Sequence, residues 1–184
     1  MIKIFVILFF FFSIAQTSAS TKNKIIQNLK DTNNLTFNFE QNVNGKTQNG
    51  NCILSFPQKI FCKYNLENNK ILVSNGKSIV IKTSNSYYLY PLKRTPLNLI
   101  LDKNFLVNKI RDLNERKIDN KFVNFRFFEN DFEINIFFDL NNYNLIGWQT
   151  TDIYQNLSIT FLSSVKKNQK FENDVKKKNI DEKE

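Results

Sequence analysis

The chain has 184 residues, a formal net charge of +9, 19 phenylalanines, two cysteines and no histidine. Without histidine there is no Ser-His-Asp or Cys-His catalysis and no imidazole-containing zinc site, and two cysteines cannot complete a four-thiolate site. Four glycines in the whole chain provide no glycine-rich phosphate loop. The basic balance suits anionic surfaces such as lipid headgroups or nucleic acid. The lysines are nevertheless scattered along the sequence, turns included, and form no arginine stripe, so charge alone names no partner.

Residues 1–19 read as an export signal. Lys3 supplies the positive start, residues 4–14 are almost wholly apolar, and Thr17-Ser18-Ala19 offers small residues for cleavage near Ala19. That apolar run is far shorter than the roughly twenty residues needed to cross a bilayer. No cysteine stands near the cleavage point to take acyl chains, so the mature chain is expected to be soluble; it is also expected to be periplasmic and monomeric. Residues 20–165 are expected to form one domain. Residues 166–184, charged and nearly free of large apolar side chains, are expected to fray.

Within the domain, residues 21–30 fit a short amphipathic helix with Ile25, Ile26 and Leu29 on one side. The period then changes to two. Leu35, Phe37 and Phe39 alternate with Thr36, Asn38 and Glu40, and Cys52, Leu54 and Phe56 alternate with Ile53 and Ser55. Ile60, Cys62 and Tyr64 return after Pro57. Further strands are predicted at 71–74, 78–82 and 87–90, the first two joined by Asn75-Gly76, a strong hairpin signal. Thr95-Pro96 then suits a helix start, Thr as N-cap and Pro in the first turn. This predicts a helix over 97–102 with Leu97, Ile100 and Leu101 on its apolar side, extended or repeated over 105–110. Strands resume at 121–128, 131–139, 145–152 and 157–162.

No βαβ alternation occurs, so the sum is a mainly β (α+β) chain. An open antiparallel half-barrel of about nine to eleven strands is expected, with two helical segments to cover its inner face. A curved sheet wider than its helical cover leaves an apolar hollow. With residues 57–59 as the hairpin loop, Cys52 faces Tyr64 and Cys62 faces Leu54. The sulfurs are then diagonal neighbours, and two buried thiols are expected rather than a bridge.

Other constellations have plainer readings. Glu129, Asp131 and Glu133 lie in or beside a turn, where a solvated edge suffices, and Asp139 reads as a turn former. Phe125-Arg126-Phe127-Phe128 superficially suggests stacking on nucleic acid, but its aromatics are better placed in a core. No enzyme activity, metal, cofactor or nucleic acid is expected.

Several segments, in order, resemble the outer-membrane lipoprotein carrier (LolA) family. Phe39-Glu40-Gln41 resembles its early Phe-x-Gln strand. The run Ile53-Leu54-Ser55-Phe56-Pro57-Gln58-Lys59-Ile60-Phe61-Cys62-Lys63-Tyr64 resembles its hairpin around a proline. Leu72-Val73-Ser74-Asn75-Gly76-Lys77 is similar to a strand followed by Asp-Gly. Tyr90-Pro91-Leu92 with Thr95-Pro96-Leu97, and Gly147-Trp148 with Asp152, complete the set. The resemblance implies an unclosed barrel with a helical lid over a hydrophobic cavity. It also implies carriage of lipoprotein acyl chains from an inner-membrane ABC transporter to an outer-membrane receptor, without nucleotide. A receptor-like or structural envelope lipid binder of the same fold is the second reading.

The expected lining is Phe37, Phe39, Leu54, Phe56, Ile60 and Cys62 on the sheet, and Ile25, Leu29, Leu97, Ile100 and Leu101 on the lid. One departure bears on transfer. The family commonly has Arg before the hairpin Pro, implicated in latching the lid; here Phe56 stands there, which predicts loss of a polar latch. An aromatic is also common where Cys62 stands.

Overall fold

The computed structural model describes residues 19–65, 68–151 and 156–170, so the expected signal (all but Ala19) and residues 171–184 of the expected tail lie outside the described residues. Helix α1 (Thr21–Lys30) begins at Ser20, whose Oγ accepts the Asn23 N–H at 3.3 Å. This satisfies one of the donors that a helix start leaves without a partner. Six strands follow: β1 (Asn34–Val43), β2 (Lys46–Ser55), β3 (Lys59–Tyr64), β4 (Ile71–Asn75), β5 (Ser78–Lys82) and β6 (Tyr87–Pro91). A 3-10 turn (Leu92–Arg94), α2 (Leu97–Ile100) and α3 (Lys103–Asp112) interrupt the β pattern. It resumes with β7 (Arg116–Ile118), β8 (Phe122–Glu129), β9 (Phe132–Asp139), β10 (Leu145–Thr151) and β11 (Leu157–Lys167).

All eleven strands form one antiparallel sheet in the order β6-β5-β4-β3-β2-β1-β11-β10-β9-β8-β7. The first and last strands meet at its centre, and β6 and β7 are its two unpaired edges. The expected open half-barrel is what forms. This topology also explains the lid. The chain leaves one edge at Pro91 and re-enters the other at Arg116, so the segment between must pass over the concave face.

Side-chain alternation decides which face is concave. On β1, Leu35, Phe37 and Phe39 are buried; on β3, Ile60, Cys62 and Tyr64 are buried while Lys59, Phe61 and Lys63 are exposed. Each buried Leu, Ile or Phe contributes about 1.5–3 kcal/mol, and a one-residue slip would turn the whole set to water. Against this face pack Ile25, Ile26 and Leu29 of α1 and Leu106, Val107 and Ile110 of α3.

Helices α1 and α3 run antiparallel and are clamped at both ends. Lys22 Nζ donates to the Leu113 and Arg111 carbonyls at 2.6 and 3.2 Å. Lys103 Nζ donates to the Thr32 and Lys30 carbonyls at 2.8 and 3.1 Å. Each lysine caps the C-terminal end of the other helix, where carbonyls lack partners and the helix dipole favours a cation.

Four sequence expectations are corrected. Ser55 pairs with Lys59, leaving Phe56-Pro57-Gln58 as the loop, with a cis Phe56–Pro57 peptide. Phe56 leaves the ladder because its N–H turns to the Asn33 carbonyl at 2.9 Å. Cys52 therefore meets Cys62 directly, with Cα atoms 4.1 Å apart, and the two form a disulfide instead of two free thiols. Thr95 does not cap α2. Its Oγ donates back to the Leu92 carbonyl at 2.8 Å, closing the 3-10 turn, and α2 ends at Ile100. Asp102 instead caps α3, its Oδ1 accepting the Phe105 N–H at 3.0 Å. Strand β11 runs on to Lys167, past the boundary expected at 165, and Asn168 and Gln169 still bond to Asn33 and Asn34. The short edge strand β7 is additional.

Candidate functional site

The concave face is nearly filled. Two hollows remain: a more open one of about 160 Å³ beside Val43, Pro96, Phe132, Thr150 and Leu157, and a cavity of about 40 Å³ lined mainly by Phe37, Phe39, Ile60, Tyr64, Leu72 and the Cys52–Cys62 disulfide, with Trp148 at the side and Leu97 above. Leu97, at the start of α2, is the one helical residue in the lining. Of the expected set, Phe37, Phe39, Ile60, Cys62 and Leu97 come together here. Leu54, Ile25, Leu29, Ile100 and Leu101 are instead buried in the adjoining core, and Phe56 is half-buried at the hairpin tip. Residues absent from the expected set complete the lining. Tyr64, Leu72 and Trp148 lie on the same alternating faces that identified Phe39 and Ile60, so periodicity alone would have found them.

One end of the cavity is polar. Tyr64 Oη donates to Gln41 Oε1 at 3.3 Å, and Gln41 Nε2 donates to Thr160 Oγ1 at 3.2 Å. Thr160 is itself buried. The Phe39 and Tyr64 rings meet edge to face with centroids 4.9 Å apart, an arrangement their ring quadrupoles favour.

The apolar surface continues beyond the helices. Cross-strand pairing carries the row Cys52, Cys62, Leu72, Ile81 and Tyr88 along the concave face to the β6 edge, with Tyr90 stacked on Tyr88 at 6.5 Å. Tyr88 and Tyr90 are exposed. The cavity is thus the covered end of a longer apolar trough.

A polar latch holds α2 over it. The Gln58 N–H donates to the Leu101 carbonyl at 2.9 Å. Its Nε2 reaches Asn98 Oδ1 at 3.1 Å and the Asn98 carbonyl at 3.3 Å. Ser74 Oγ donates to the Gln58 carbonyl at 2.9 Å, fixing the loop to β4. Polar contacts between this hairpin and α2 are thus present two residues after Phe56. Phe56 itself lies under Lys103, whose Nζ is 5.8 Å from the ring centre.

The carboxylates weighed for chemistry are occupied otherwise. Glu129 pairs with Lys109 at 2.7 Å and Glu133 with Arg126 at 2.8 Å. Asp139 Oδ1 accepts the Asn141 and Asn142 N–H groups at 2.7 and 2.9 Å, closing a turn. Phe125 and Phe127 are buried in the core, whereas Phe128 is exposed beneath Arg126.

An unclosed sheet curled around an apolar trough, with separate helices laid over it, defines a binding protein for apolar cargo. The chain belongs to the family of the outer membrane lipoprotein carrier protein LolA, whose model matches residues 30–177. That family is one of periplasmic lipid- or lipoprotein-binding carriers rather than enzymes. An uncharacterized conserved protein from Thermus thermophilus shares the fold, with a TM-score of 0.52 and 8% identity over 85% of this chain and 93% of its own. A LolA superfamily protein from Nitrosomonas europaea aligns with a TM-score of 0.43 and 7% identity over 85% and 97% of the two chains. Pseudomonas aeruginosa MucB in its complex with MucA aligns at 0.46 and 11% over 85% and 60%. No curated protein sequence matches this chain significantly.

Proposed function

We propose that this chain is a periplasmic chaperone, exported by cleavage near Ala19, that takes up the acyl chains of lipoproteins along the concave trough. It receives them from an inner-membrane ABC transporter and delivers them to an outer-membrane receptor. The observation that carries the reading is the apolar row from the Cys52–Cys62 disulfide through Leu72 and Ile81 to Tyr88. It joins a covered cavity to an open edge, as a site for a long flexible chain requires.

The covered cavity of about 40 Å³ under Leu97 is too small for an acyl chain, since a cavity of about 150 Å³ accommodates a single benzene. On this reading the lid stands in its closed position. Loading displaces Leu97 and α2, which breaks the Gln58 contacts. Burial of an acyl chain contributes about 0.8 kcal/mol per methylene, and the cost of opening offsets part of it, so cargo can be released.

Native mass spectrometry of protein taken from its own periplasm tests this. Co-purifying triacylated protein is expected. Free lipid alone would favour an envelope lipid binder of the same fold, and turnover of an ester would overturn the carrier reading.

A further inference from the structure

The chain's positive charge is not spread over the fold. Residues 41–101 hold eight Lys or Arg against one carboxylate, Glu67, a balance of +7 within the chain's +9; residues 102–184 hold fourteen of each sign. The first of these segments includes strands β2 to β6, one wing of the sheet.

On the convex side of that wing, cross-strand pairs align Ile53, Phe61, Val73, Val80 and Leu89 in one row across five strands. A solvent-facing side of an antiparallel sheet ordinarily reads polar. Here Phe61 is 40% exposed, Leu89 59% and, in the next row, Tyr87 63%. Lysines flank the apolar row on both sides. Lys63 and Lys82 share a row with Ile71 and Tyr87, and Lys59 stands on the other flank opposite Asn75. No ion pair holds these three lysines among the described residues, and all are exposed.

We propose that this convex wing docks the protein on an anionic lipid bilayer, with Phe61, Leu89 and Tyr87 entering the interface and Lys59, Lys63 and Lys82 meeting headgroup phosphates. Exposed apolar patches mark membrane or protein contacts. The lysines decide between the two, because lysine is depleted in protein–protein interfaces, whereas a basic patch is drawn to a continuous anionic plane. Tyrosine with its amphipathic ring suits the headgroup level. Docking here would also bring the β6 edge, and with it the open end of the trough at Tyr88 and Tyr90, next to the bilayer.

Co-sedimentation of the mature chain with vesicles tests the proposal. Vesicles of 30% phosphatidylglycerol in phosphatidylcholine are expected to bind it at low salt, pure phosphatidylcholine far less, and 0.5 M NaCl to release it. Each lysine near an anionic surface is worth about fivefold in partitioning, so Lys59→Glu/Lys63→Glu/Lys82→Glu should weaken binding about a hundredfold or more. Phe61→Ser/Leu89→Ser should weaken it at least tenfold. Circular dichroism and uptake of a fluorescent acyl probe, read in parallel, keep loss of docking distinct from misfolding and from failure of the trough. Equal binding by the triple variant, or no preference for the anionic vesicle, overturns the proposal. So does retention on poly-glutamate resin with no vesicle binding, which would assign the face to an acidic protein.

Discussion

A Cβ at position 50 would stand 2.1 Å from the Lys63 carbonyl oxygen and 2.8 Å from the Phe39 ring. Gly50 faces Tyr64 across the β2–β3 ladder and Phe39 across β1–β2, so its bare backbone lets the Phe39 ring lie across the strand against Tyr64. Gly50→Ala should therefore destabilise the fold by about 1–3 kcal/mol, the usual cost of overpacking a core. A lowered urea midpoint at unchanged slope would show it, and an unchanged midpoint would remove Gly50 from this role. The disulfide two residues on makes a second test. Cys52 and Cys62 are separated by 10 residues, and by loop-closure entropy a bridge of that span contributes about 2–3 kcal/mol. Cys52→Ser/Cys62→Ser should lose about that much in denaturant titrations, and reduction of the unaltered chain should do the same.

At the scale of elements, the strands were legible because one buried face imposes a period of two, as in Leu35, Phe37 and Phe39. The pairing of Cys52 with Cys62 was not. It depends on Phe56 leaving the ladder for the Asn33 carbonyl, a contact with residues more than twenty positions away. The lid was half legible. Thr95-Pro96 marked where the chain changes character, but the hydroxyl of Thr95 found a nearer acceptor in Leu92. The wing's charge was hidden for a different reason. Lysines on separate strands look scattered until the register aligns them, as it does for Lys63 and Lys82 on either side of Ile71. Gln58 holds α2 through a side chain whose partners, Asn98 and Leu101, come from a different element. Gln58→Ala removes the side-chain contacts and keeps the backbone one. The expected outcome is a loss of about 1 kcal/mol in lid closure. Amide exchange at Ile100 and Leu101 should quicken about fivefold while β1 and β2 stay protected; equal quickening of β1 would mean global destabilisation instead.

For the whole molecule, the closed cavity of about 40 Å³ sets the form of the binding energetics. A preformed hollow would bind short and long acyl chains in simple proportion to length. A filled one first has to open, at a cost independent of the cargo. The proposed opening would break the Gln58 contacts and expose side chains such as Leu99 and Ile100, which are buried here. Each of those two is worth about 1.5–3 kcal/mol when buried, so the penalty is on the order of 3–6 kcal/mol. Plotted against chain length, the binding free energy of a series of acyl probes should rise by about 0.8 kcal/mol per methylene from an unfavourable intercept. Chains below roughly six methylenes should then fail to bind. Gln58→Ala should shift the intercept by about 1 kcal/mol and leave the slope alone, because the latch touches the lid and not the cargo. The loss of translational freedom on binding is common to both proteins and cancels in that comparison. Isothermal titration with fatty-acyl probes of graded length reads both quantities. A slope changed by Gln58→Ala would mean that Gln58 lines the loaded site. An intercept already favourable in the unaltered chain would mean that the trough stands open in solution.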